Sequence, residues 1–213
     1  MLIGMGAEDH IPPDLWAKYE VHEWHHACAV LEDDFPAEWN EICDVLRGFR
    51  LLKSQVVAPG GRKSPIADGL DGEFFKRGWE EKSFNTSICV DGVDYLTPTH
   101  AVDCFKNRIA LEIEWSNKDP FYDRDLNNFR LLFELRAVSV GVIITKSDDL
   151  KDVFKGIRVS ERKTLYEKYG ASTTWMSKLV PRIDGGGGGG CPILVFGINR
   201  NAFHVDCNDP YTD

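Results

Sequence analysis

The spacing of apolar and polar residues divides the chain into short elements. Trp39, Ile42, Val45, Leu46 and Phe49 recur on one face of a helix that opens at Pro36-Ala37-Glu38. Proline suits a first helical turn, and an acid suits the positive end of the helix dipole. Arg47 and Arg50 stand at the basic C-terminal end. Leu126, Phe129, Leu132 and Phe133 mark an amphipathic helix over 123–137. Residues 148–155 and 160–169 also read as helical. Residues 100–105 and 109–115 read as two strands around a turn at Lys106-Asn107-Arg108. The apolar runs 138–145 and 192–198 read as buried strands. Phe74 to Trp79 fits a short helix or a strand, and 58–73 reads as loop by composition. Strand–helix–strand alternation around short apolar strands predicts an α/β sheet with at least one crossover.

Composition adds bounds. A chain of 213 residues suits one domain, 1–213, able to bury a full core without disulfides or a structural metal. Its 43 % hydrophobic and 28 % charged residues argue against disorder. No apolar run approaches the ~18–20 residues of a membrane span, so no membrane partner is expected. MLIGMGAEDHIPPD lacks a basic stretch and an apolar stretch of the kind a secretory signal carries. The six cysteines form no CxxC pair and several sit in apolar runs, as expected of reduced thiols in a cytoplasmic protein.

The net charge of −9 argues at first against nucleic acid, but its distribution weakens that objection. Residues 1–46 hold eleven acids and one base, so the rest of the chain is slightly basic. Within it, 150–182 carries eight bases against three acids. Such polarity permits a local anion-binding face, and equally suits two solvated helix surfaces. The six glycines 185–190 read either as a plain linker or as a loop that lets backbone approach a ligand.

The most informative chemistry lies at the predicted hairpin. With the turn centred on Asn107-Arg108, Asp103 faces Glu112, and opposed side chains lie about 4.5–5.5 Å apart at Cβ. The period-two pleat puts Glu114 on the same face and sends Leu111 and Ile113 to the other. Carboxylates gathered this closely call for a cation, and an all-oxygen set selects Mg2+ or Mn2+. The plainer alternative is a solvated edge strand with Lys106 and Arg108 neutralising the acids. A second motif competes: His22-Glu23-Trp24-His25-His26 satisfies H-E-x-x-H, which on a helix aligns two imidazoles for zinc with Glu41 as the best third ligand. Few residues precede it, and no H-x-x-G-x-x-H extension follows, so a surface histidine cluster is the plainer reading.

Asp103 followed by Glu112-Ile113-Glu114 resembles the D…(E)xE variant of the PD-(D/E)xK nuclease motif. More narrowly, it resembles the BglII/BstYI/BamHI group of type II restriction endonucleases. The stretch Glu112 to Phe121 is similar to one that, in BglII-like enzymes, runs from a metal ligand into a base-contacting loop. Phe35-Pro36-Ala37-Glu38-Trp39, Lys76-Arg77-Gly78-Trp79-Glu80 and Pro192 to Ile198 resemble segments of BstYI-like chains in their places. The likeness spans roughly 15–200. Val102 stands where the family name calls for proline, with Pro98 further upstream, and Glu114 stands where many relatives have lysine.

The resemblance implies a PD-(D/E)xK core, a mixed β-sheet flanked by helices. An acidic helical part would cover about 1–57 and the catalytic core about 74–200. It implies Asp103, Glu112 and the carbonyl of Ile113 as ligands of Mg2+, with Mn2+ able to substitute. Glu114 would be general base or water-positioner; Glu80 or Glu81 could add an accessory carboxylate, and a surface glutamate pair is the plainer reading of both. It implies a homodimer reading a palindrome in double-stranded DNA, with a DNA methyltransferase as functional partner. Ser116, Asn117 and Lys118, then Ser172, Thr173 and Thr174, are the base-reading candidates, while Arg62, Lys63, Lys178 and Arg182 suit phosphates. Alternatives remain: a repair or nicking nuclease of the same fold, a zinc protease built on His22 and His26, or a non-catalytic DNA-binding protein.

Overall fold

A computed structural model describes residues 7–59, 63–96, 99–170 and 172–207; Arg62 and Pro98 lie outside the described residues. The chain begins with α1 (Ala7–His10), α2 (Pro13–Lys18), β1 (Tyr19–Trp24), α3 (Ala27–Asp34) and α4 (Pro36–Gly48). Next come β2 (Leu51–Leu52), α5 (Lys53–Val57), α6 (Pro65–Phe75), β3 (Glu80–Lys82) and the hairpin β4 (Ser87–Val90) and β5 (Val93–Leu96). The central hairpin is β6 (Val102–Lys106) and β7 (Ile109–Ile113), followed by α7 (Phe121–Glu134) and β8 (Val140–Lys146). The remainder is α8 (Leu150–Lys155), β9 (Arg158–Ser160), β10 (Lys163–Thr164), α9 (Leu165–Tyr169), α10 (Met176–Asp184), β11 (Ile193–Ile198) and β12 (Phe203–His204).

Six strands form one mixed sheet in the order β1-β11-β8-β7-β6-β3. β7, β8 and β11 run parallel, while β1, β6 and β3 pair antiparallel with their neighbours. The crossover from β7 to β8 is α7, since parallel neighbours need a connection long enough to return the chain. Every residue of β8 and β11 is buried, as continuous apolar strands at the centre of a sheet should be.

The pleat sorts side chains into two apolar clusters, one per face. Leu111, Ile113, Val142, Ile144 and Phe196 pack against α3, α4, α6, α8 and α9. Ala110, Ile143 and Val195 pack instead against Leu126, Phe129 and Leu132 of α7 and Met176, Leu179 and Ile183 of α10. Gly141 lies where α7 comes closest, and a Cβ there would sit 2.4 Å from Phe129 Cδ2. Gly141→Ala is therefore expected to destabilise the fold by about 1–3 kcal/mol, read as a lower denaturation midpoint.

Several segments depart from the sequence expectation. The stretch 58–73 is not all loop: α6 starts at Pro65, with the Ser64 hydroxyl accepting from Ala67 N–H at 3.1 Å. That cap and the first-turn proline outweigh Gly69 and Gly72, which sit in open space. Residues 160–169 hold a short strand pair before α9 rather than one helix. The glycine run is neither a free linker nor an open loop. Gly186 (φ 86°) and Gly189 (φ 59°) turn the chain through the left-handed region. Gly187 N–H donates to Arg182 O at 2.9 Å, and Gly189 lies against the Arg130 side chain of α7.

Candidate active site

The β6–β7 hairpin has the predicted register, with Cys104 opposite Leu111, Phe105 opposite Ala110 and Lys106 opposite Ile109. Asn107 (φ 45°) and Arg108 (φ 70°) both turn through positive φ, as a tight two-residue hairpin requires. Beyond Cys104 the ladder gives way to side chains. Asp103 N–H donates to Glu112 Oε2 at 3.3 Å, and Ile113 N–H donates to Asp103 Oδ2 at 2.9 Å. Asp103 and Glu112 therefore meet at the open end of the hairpin, each carboxylate tied to the other strand.

Glu112 and Glu114 point toward α7, 1 % and 0 % exposed. There they meet Asp125, a third buried acid. Asn117 Nδ2 donates to Glu114 Oε1 at 3.0 Å. Arg124 is bound to Asp125 at 2.7 Å and stands 3.7 Å from Glu114. One guanidinium does not balance this cluster. Burial first, and Asp125 next, push the Glu114 carboxyl up to about 9. Burial, then Asp125 and Asp103, raise Glu112 well above the usual carboxylate range. Burial likewise raises Asp103 and Asp125. The Glu114 and Asp125 side chains are hydrogen-bonded to each other, which requires a proton on one of the two carboxyls.

On its other side Asp103 lines a cleft of about 390 Å³ together with Lys63, Asp71, Ile113, Ser116 and Asn117. Lys63 pairs with Asp71, which also accepts from the Cys104 thiol at 3.5 Å. A second cleft shares Ser64 and Ser116 with the first and is bordered by Lys168 and Thr173. The structure thus brings Lys63, Asp103, Ile113, Ser116 and Asn117 to one opening, with Glu112 and Glu114 behind its wall.

Other candidates lie further along. Lys118 bridges to Thr173, and Asp119 N–H donates to Ser172 O at 2.9 Å. Lys178 and Arg182 on α10 bind Asp119 at 3.2 and 3.9 Å. Thr174 is a correction: it is fully buried and its hydroxyl lies among backbone carbonyls, so it faces protein rather than a groove. Lys106 does not neutralise the acidic cluster either; it pairs with Glu41 at 2.7 Å.

The zinc-protease geometry fails. His22 and Glu23 belong to strand β1, and His25 and His26 occupy a left-handed turn. No helix aligns His22 with His26, and Glu41 is held by Lys106 and by Trp79 Nε1, the latter at 2.7 Å. His26→Ala is expected to leave activity unchanged, with no nanomolar zinc binding in a titration of the wild type.

The sequence reading missed Asp71, Arg124 and Asp125. Asp125 carried a signal, since an acid between Tyr122 and Leu126 sits on the buried face of an amphipathic helix. Asp71 carried none, because its helix was read as loop.

The model of the family described as restriction endonuclease BglII/BglIII matches residues 19–198. The chain belongs to this family. It is a type II restriction endonuclease, a nuclease that binds double-stranded DNA, and its mixed sheet with flanking helices is the restriction-endonuclease-like core. No curated protein matches the chain. Among the described residues no helix is long and apolar enough to cross a membrane.

Enzymes of this kind generally need a divalent metal. Among the described residues no three His, Cys, Asp or Glu side chains are already set around a metal position. The donor chemistry nevertheless fits a hard cation: the acids are all-oxygen, buried and under-neutralised, and Glu114 and Asp125 face each other carboxyl to carboxyl.

Proposed function

We propose that this endonuclease hydrolyses both strands of a short palindromic site in double-stranded DNA with Mg2+, leaving 5′-phosphates. The reading rests on one observation above all: Asp103, which lines a cleft, meets the buried Glu112 across the hairpin end, backed by further buried acid that a single guanidinium does not balance. Asp103, Glu112 and the Ile113 carbonyl would hold the cation. When bound, it supplies Lewis acidity, offsetting charge that grows on the phosphate and easing proton loss from the attacking water.

The chain's own groups do the rest. Glu114 orients the water or, in its ionised form, takes its proton; a cation held beside it would favour that ionised form. Asn117 fixes Glu114 through the 3.0 Å hydrogen bond. The water displaces the 3′ oxygen in line. Ser116, Asn117 and Lys118 follow the active-site strand and reach toward base edges, as do Ser172 and Thr173, while Arg62, Lys63, Lys178 and Arg182 serve phosphates. A homodimer gives one half-site per subunit, which matches a palindrome. The enzyme would work in the cytoplasm opposite a DNA methyltransferase that protects the host sites.

Digestion of phage DNA with Mg2+, followed by run-off sequencing of the ends, tests this reading. Discrete bands with paired breaks on both strands are expected. A smear or single-strand nicks would favour a repair or nicking nuclease, and absence of cleavage with Mg2+ and Mn2+ would overturn the proposal.

A further inference from the structure

Lys146, the last residue of β8, is fully buried. Three aromatic rings cage its ammonium, those of Trp115, Trp175 and Tyr169, with centroids at 5.1, 5.0 and 5.5 Å. Its Nζ donates to the Trp115 carbonyl and, at 3.3 Å, to the Thr174 hydroxyl. That hydroxyl lies 3.2 Å from the Glu114 carbonyl and 3.3 Å from the Trp115 carbonyl, to either of which it donates. Thr174 N–H donates to Asn117 O at 3.0 Å, and Lys118 bridges to Thr173. Two chain segments are thereby stitched together, 114–119 and 172–175, and both rest on one amine.

Cation–π attraction and two acceptors only partly offset the desolvation of an ammonium. A methionine would fill the cage without that cost; it would leave the Trp115 carbonyl to the Thr174 hydroxyl alone, a loss that the avoided desolvation offsets. Burial holds the Lys146 pKa well below the usual lysine range, yet the amine donates to both acceptors in either protonation state. The lysine is thus poorly explained as a source of stability. It is well explained by what it holds: the segment that begins at Glu114 and lines the cleft with Ser116 and Asn117.

We infer that Lys146 is a positioning residue that fixes the 114–119 and 172–175 segments against the cleft, and so sets cleavage rate and sequence discrimination without touching DNA. The inference rests on the restriction reading above and goes beyond it, since none of the proposed DNA or metal contacts involves Lys146.

The test uses Lys146→Met, Thr174→Val and Thr174→Ser. Wild-type digestion of phage DNA maps the cleavage site, and a duplex carrying that site and a scrambled duplex then serve as probes. Lys146→Met is expected to keep its thermal midpoint and its affinity for the scrambled duplex. It should lose about a hundredfold in single-turnover cleavage, the scale of a 1 Å misplacement, together with most of its preference for the mapped duplex. Thr174→Val should lose about tenfold, and Thr174→Ser, which keeps the hydroxyl, should stay near wild type. Lys146→Met that cleaves within about threefold of wild type overturns the inference. Should Lys146→Met fail to fold, the Thr174 pair decides: loss in valine with rescue in serine supports the role, and equal behaviour overturns it. A wild type that cuts nothing sinks the underlying reading and this inference with it, whereas normal wild-type cleavage with an unaffected Lys146→Met sinks this inference alone.

Discussion

Asp103→Asn or Glu112→Gln is expected to lower cleavage by at least about a thousandfold while DNA binding survives. Both substitutions conserve shape. Asparagine at 103 still accepts from Ile113 N–H, and glutamine at 112 still accepts from Asp103 N–H, so the hairpin end keeps its two cross-strand bonds. What is lost is charge, and with it the hold on a divalent cation. Affinity for DNA should hold or rise, because one fewer buried anion faces the incoming phosphate. Cleavage rates beside gel-shift affinities on the same duplex separate the two effects. Loss of binding together with cleavage would contradict the assigned roles.

The second expectation concerns pH in the absence of metal. Glu114 holds its proton up to about pH 9 in the folded chain and gives it up near 4.5 once unfolded. Between those values the folded state binds more protons, so stability falls as pH rises. Glu112, raised well above the usual carboxylate range, adds to the trend, and Asp103 and Asp125 are shifted in the same direction. Glu20 and Asp148 are shifted downward, but their contribution is lost only as pH falls below the ordinary carboxylate range, outside this window. Lys146, held below the usual lysine range, binds fewer protons folded than unfolded and opposes this trend, so the Glu114 contribution is read against a Glu114→Gln variant: between pH 6 and pH 8.5 in EDTA the wild type should lose a few kcal/mol relative to it, where each kcal/mol is roughly 2–4 °C. Mg2+ should reverse much of the drop, since a cation favours the ionised acids and binds more tightly as they lose protons. Glu114→Gln cannot titrate and should show a shallower slope by calorimetry. Equal slopes for the variant and the wild type would contradict this account.

The centre of the sheet was legible because its signals are local. Asn107-Arg108 sets the hairpin register, and that register alone places Asp103 beside Glu112. The apolar runs of β8 and β11 announced themselves in the same way. What stayed hidden depended on competing or distant signals. His22-Glu23 suggested a helix, but Tyr19 and Val21 alternate inward and β1 joins the sheet as its antiparallel edge. α10 forms over a stretch to which the sequence pattern assigned no element, with Pro181, which has no N–H to donate, inside it. Asp91 and Gly92, both at positive φ, turn the unassigned β4–β5 hairpin. Lys146 had no local signal, because Trp115, Tyr169 and Trp175 come from separate stretches of the chain.

The compact glycine coil bears on how the protein meets its substrate. It ties the C-terminal end of α10 to the start of β11 and rests on α7, while Trp175, beside the other end of α10, lies in the aromatic cage. A helix anchored at both ends cannot swing like an arm on a tether. If Lys178 and Arg182 serve phosphates as proposed, they would approach a duplex in a pre-set orientation, with little chain entropy left to surrender on docking.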